Sequence, residues 1–151
     1  MRHRHSLSLV LLATLALAAC AAHTKPYVSA SKVVLTVSQG LQRASTVADL
    51  AYAQRAVTGF TGADLNRTRQ ILEPIAMATR AAEDALIAWP IDRPFAPPEL
   101  QQLATALTRG ADDVVSSLPE SPTRAAVQGF LAVARATVEA ILAAYSSEVT
   151  S

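Results

Sequence analysis

The side chains that most often carry catalysis crowd one end of this chain. All three histidines (His3, His5 and His23) and the single cysteine, Cys20, fall within the first 23 of 151 residues. Beyond them there is no imidazole and no thiol, so a zinc centre, a Cys-His pair or a Ser-His-Asp triad cannot be built from the rest of the chain. Acids are present but poorly disposed. Glu83-Asp84 and Asp112-Asp113 are sequence neighbours, and neighbours on a helix diverge by about 100°, so neither pair can chelate from one face. A di-iron bundle needs Glu-x-x-His pairs, and the sequence holds none. Glu73, beside Pro74, reads as a solvated acid paired with Arg69 one turn earlier. Lys32 is the one lysine past the N-terminal segment; it stands at the start of a helix, with no serine or threonine arranged for it to activate. Gly59 and Gly62 flank Phe60 without the Gly-Lys-Ser/Thr of a phosphate loop. The expectation is a protein that is not an enzyme and takes neither metal nor dissociable cofactor.

The N-terminus has its own logic. Arg2 and Arg4 precede an apolar run, Leu7 to Ala19, which closes on Leu17-Ala18-Ala19-Cys20. A basic start, a short apolar stretch and small residues before a cut are the parts of a secretory signal. The last four residues resemble the lipobox of bacterial lipoproteins. That resemblance covers about the first twenty residues and implies a diacylglyceryl group on Cys20, removal of residues 1–19, and acylation of the new amino terminus. One acyl chain holds a protein to a bilayer weakly and two or more hold it stably, so the implied anchor is permanent. Ala21 and Ala22 follow Cys20 in place of the Asp that often retains such proteins at the inner membrane. The implied location is the outer membrane, facing the periplasm, with the covalent lipid on Cys20 as the only attached group.

The chain has 13 basic and 12 acidic residues, a balance of +1. Arg2 and Arg4 leave with the signal, which brings the mature chain to −1. Phosphate binding needs clustered Lys and Arg; with no such cluster, nucleic acid is not an expected partner. The length after residue 19 suits one domain, and with no disulfide it must stand on its apolar core alone.

Stepping by three and four, the apolar positions predict helices and no strands. A linker over residues 20–30, with Pro26 opposing early helix, leads to a domain over 31–148. The first helix is expected from about Ala30 to Val57, burying Val34, Val37, Leu41, Ala44, Ala48 and Ala51, with Val47 and Leu50 widening the stripe. Thr58-Gly59 ends it, and Thr61 caps the next with Asp64 at its third position. That second helix carries Leu65, Leu72, Ile75, Ala82, Leu86 and Trp89, with Pro74 in its middle predicting a kink or a break. A third runs from Pro98 or Glu99 to about Leu118 on Leu100, Leu103, Leu107, Val114 and Leu118. Ser121-Pro122 starts a fourth, with Val127, Phe130, Leu131, Ala134, Val138, Ile141 and Tyr145 inward. The fold expected is all-α, an up-and-down four-helix bundle after a cleaved signal peptide and short linker. Ala125 to Ala144 approaches the length of a membrane span, but Gln128, Arg135 and Glu139 interrupt it, which favours a helix with one buried face.

Between the second and third helices, Trp89 to Pro98 holds four prolines in ten residues, which excludes helix and strand. It also holds the only tryptophan, together with Arg93 and Phe95. Trp and Arg are enriched where binding energy concentrates, and a rigid loop loses little entropy on docking. Trp89, Arg93 and Phe95 are therefore the candidate contact for an envelope protein partner; the other reading of Trp89 and Phe95, and the more ordinary one, is that they cap the open end of the bundle core. The functional expectation is a membrane-anchored lipoprotein that scaffolds or binds protein in the cell envelope. The rivals are a carrier of a small apolar ligand, with a pocket opened at Pro74, and an envelope lipoprotein encoded by a prophage. Replacing Cys20 with serine is expected to abolish the acyl mass and move the protein from the membrane pellet into the soluble extract, as read by fractionation and intact-mass spectrometry.

Overall fold

A computed structural model describes residues 26–90 and 92–148; the signal segment, Cys20 and His23 lie outside the described residues. Five helices follow in order: α1 Pro26–Ala53, α2 Arg55–Thr58, α3 Gly62–Ala88, α4 Pro98–Ser117 and α5 Pro122–Glu148. No strand occurs among the described residues, and the fold is all-α. The four long helices pack as a ring in which α1 meets α3 and α5, and α4 lies between α3 and α5.

The stripe predicted for α1 is buried throughout: Val34, Val37, Leu41, Ala44, Ala48 and Ala51. Its ends differ from expectation. The helix is already formed at Pro26, the first described residue and ahead of the expected start near Ala30, and Ser29 and Ala30 are buried. Pro26 therefore does not oppose helix here, its fixed φ being compatible with it. Val47 and Leu50 do not join the core; Leu50 is 56% exposed. Two residues beyond Ala48 is about 200° around the axis, which carries Leu50 to the outer face.

Near its C-terminus the first helix is also shorter than expected. It ends at Ala53, and Gln54 (φ −97°, ψ 24°) separates it from the single turn of α2. Thr58 draws the chain back: its hydroxyl donates to the Ala51 carbonyl at 2.8 Å and accepts from the Phe60 N–H at 3.2 Å. Gly59 then adopts the left-handed conformation (φ 68°), which glycine enters without a Cβ penalty. The result seats Phe60 among Ala48, Ala51 and Leu65 in a small core of its own at this end of the bundle.

Thr61 caps α3 as its spacing predicts. Its hydroxyl accepts from the Asp64 N–H at 3.2 Å, while the Asp64 carboxylate accepts from the Thr61 N–H at 2.8 Å, a reciprocal pair that satisfies two end donors. The helix runs through Pro74 without a break. Ile75, the next residue, is fully buried, and an added Cβ on Gly110 of α4 would come within 2.6 Å of its Cδ1. Glycine at 110 thus admits Ile75, and the packing gained there offsets the hydrogen bond Pro74 cannot make. In α4 the expected Leu100, Leu103, Leu107 and Val114 are buried, as is Leu118 just past its end. In α5 Val127, Leu131, Ala134, Val138, Ile141 and Tyr145 are buried, with Phe130 half-buried. Ser121 caps α5 by accepting from the Arg124 N–H at 3.1 Å.

Denaturant unfolding checks two of these contributions. Ile75→Ala should lower stability by about 2–5 kcal/mol through lost burial and a residual cavity. Thr61→Ala should lower it by about 1 kcal/mol through loss of the cap.

Candidate functional site

Two surfaces stand out, and the sequence singled out only one of them. The first is the connection between α3 and α4. Trp89 is the residue at which α3 ends, with extended backbone (φ −82°, ψ 131°). Its indole N–H donates to the Phe95 carbonyl at 3.0 Å, and the Arg93 guanidinium lies 4.8 Å from the centre of its ring. The three predicted residues are thus brought together, but two of their contacts are with one another. An Arg over a Trp face gains from the ring quadrupole, and the Trp–Phe hydrogen bond closes the loop across six residues. Trp89 is half-buried and Phe95 is 59% exposed, so Phe95 does not plug the bundle end. That task falls to Pro97, which is fully buried, and to Ala96, packed against the core. Asp92, Arg93 and Pro94 are exposed.

The second surface is a groove of about 790 Å³ between α1 and α5. Phe130 is among its lining residues. An added Cβ on Gly40 would lie 2.7 Å from Cδ2 of that ring, so the missing side chain at 40 lets the ring approach α1 closely. Val33, Val47, Val133 and Ala136 contribute to the walls. Two threonines that look polar in the sequence are less so here: Thr36 donates to the Lys32 carbonyl at 2.8 Å and Thr137 to the Val133 carbonyl at 2.7 Å. Their hydroxyls are engaged by their own helices. Lys32 and Arg43 are the charged residues that line the groove. Sequence reading missed it because it followed the buried stripes, whereas the groove is made by what flanks them. The signal available was the density of small residues on α5, which leave a shallow flank beside Phe130.

The apolar opening therefore lies away from Pro74, where the carrier reading placed it. There is a hollow of about 620 Å³ beside Pro74, between α3 and α4, but Gln70, Gln101, Gln102, Arg109 and Asp113 line much of it. Packing of Ile75 against Gly110 closes the apolar route inward at that level.

The predicted acids are dispersed. Asp84, Asp112 and Asp113 are exposed, Glu83 is half-buried and Glu73 is exposed. Arg69 pairs not with Glu73 but with Asp49 of α1, at 2.9 Å, so it ties two helices together rather than decorating one. Among the described residues no group of three or more His, Cys, Asp or Glu is placed to hold a metal ion. Glu99 lies in the first turn of α4, where the helix's positive end favours an acid. On α5 the Arg135 Nε–H donates to Glu139 at 2.7 Å. That hydrogen bond, and then the carboxylate's charge, raises the Arg135 pKa further above its ordinary value; the pair is solvent-exposed and adds little to stability.

Helix α5 is long and apolar enough to cross a membrane by length and composition, but 28% of its most apolar stretch is buried in the bundle. Its buried face is committed to α4 and α1.

No family model matches the chain, and no curated protein or solved structure is similar to it.

Trp89 is the only indole, so its emission reports on the loop. Arg93→Ala should uncover the ring and shift the emission to longer wavelength, while stability changes by no more than about 0.5 kcal/mol, as for other surface substitutions.

Proposed function

We propose that this chain is a lipid-anchored envelope protein that works by binding rather than by catalysis, held through Cys20 to the outer membrane and facing the periplasm. The observation that carries the reading is the Trp89–Phe95 surface. It places an exposed aromatic, an exposed guanidinium and a half-buried indole on a frame of prolines already braced by its own hydrogen bond and ring contact. Such a frame loses little freedom on docking, and its residue types are those in which binding energy collects. The partner is another protein of the envelope, and the role is to hold it, or an assembly containing it, close to the bilayer.

A second reading is favoured by one specific observation, the groove between α1 and α5. Its volume of about 790 Å³ falls within the roughly 300–1,000 Å³ of small-molecule sites, which supports a carrier of an apolar ligand. The two readings use different surfaces.

Crosslinking of the membrane-anchored form, with identification of the proteins captured, tests the first. Wild type is expected to capture a defined partner, and Trp89→Ala and Arg93→Ala are each expected to reduce that capture at least severalfold. If both variants capture the same proteins in the same amounts, the loop is not the contact.

A further inference from the structure

We infer that the groove between α1 and α5 is a binding site for the hydrocarbon chain of an anionic single-chain amphiphile, a long-chain carboxylate or its phosphate equivalent, with Lys32 and Arg43 receiving the head group. This deepens the carrier reading and rests on it alone; it does not depend on the Trp89 loop or on the lipid at Cys20.

The lining argues for hydrocarbon. Phe130, Val33, Val37, Val47 and Val133 line it with carbon, and the hydroxyls of Thr36 and Thr137 are engaged by the Lys32 and Val133 carbonyls. Burying a chain there returns about 25 cal/mol for each Å² of apolar surface removed from water.

Charge argues for the sign of the head group. Lys32 and Arg43 both line the groove, and neither Asp nor Glu does. Among the described residues, neither cation takes part in an ion pair; the two pairs present are Arg69–Asp49 and Arg135–Glu139. They stand about 16 Å apart along α1, at about 1.5 Å per residue, so one lies toward each end of the groove. A carboxylate or phosphate thus meets an unpaired cation whichever way the chain enters, while a quaternary ammonium meets repulsion.

The test is titration calorimetry of the full chain carrying Cys20→Ser, which has no acyl group of its own. The titrants are myristate and tetradecyltrimethylammonium, both below their micelle concentrations. One saturable myristate site per chain is expected, with the ammonium binding at least tenfold more weakly. Ala136→Trp fills the groove from an exposed position on its wall and should weaken myristate at least tenfold, whereas Ala81→Trp, exposed on α3, should leave it unchanged. Lys32→Glu with Arg43→Glu should reverse the preference between the two head groups. Helix content by circular dichroism is read for every variant. Three results would overturn the inference: no saturable myristate binding by the helical chain, equal affinity in Ala136→Trp, or a dimer that Ala136→Trp disrupts and myristate does not. Failure of the crosslinking or fractionation experiments leaves this result untouched.

Discussion

The structure depends on how closely its helices approach, and small residues set that distance. Along α1 the buried stripe passes from valine and leucine to Ala44, Ala48 and Ala51, side chains small enough to permit close approach. At Gly110 the approach is close enough that a single methyl group would collide with Ile75, and at Gly40 with Phe130. Close packing of this kind gives less transfer energy per residue than leucine would, but it brings many atoms to van der Waals distance and makes the core intolerant of added volume. The groove is a product of the same constraint. Alanines on α5 that allow close approach on one flank leave too little bulk to fill the space on the other.

Most of the architecture was legible in the sequence because helical periodicity is a local property. The buried stripes of α3, α4 and α5 follow from spacing alone, and so do both N-caps, since Thr61 with Asp64 and Ser121 with Pro122 act within one turn. What escaped was decided by contacts across the chain. Nothing local stops α1 at Ala53; the Thr58 hydroxyl reaching the Ala51 carbonyl does so. Arg69 has a suitable acid one turn away in Glu73, yet its partner lies on another helix, twenty residues back. Pro26 was misjudged for a different reason: the fixed φ of proline is itself helical, so the residue alone does not keep a helix from forming there.

The candidate surfaces divide along the same line. Trp89, Arg93 and Phe95 stood out by composition, and they do come together, but composition could not tell that the indole would bond to the Phe95 carbonyl or lie under the guanidinium. The groove has no composition signal of comparable strength. It exists because two helices distant in sequence lie side by side, with Gly40 opposite Phe130, and only the folded arrangement reveals that pairing.

Helix α4 is 20 residues long, against 28, 27 and 27 for α1, α3 and α5. The shortfall of seven residues or more corresponds to about 10 Å, two turns at about 1.5 Å per residue, and the proline-rich connection leads into this shorter helix. Four of its ten residues are prolines, which carry no amide hydrogen and so bring no backbone donor to be satisfied. The core beside Pro97 and Ala96 is covered there without any ladder of helical hydrogen bonds. Isolated bonds hold the stretch instead, from the Arg93 N–H to the Pro90 carbonyl at 3.1 Å and from the Trp89 indole to the Phe95 carbonyl at 3.0 Å, and its stiffness comes from the fixed φ of proline.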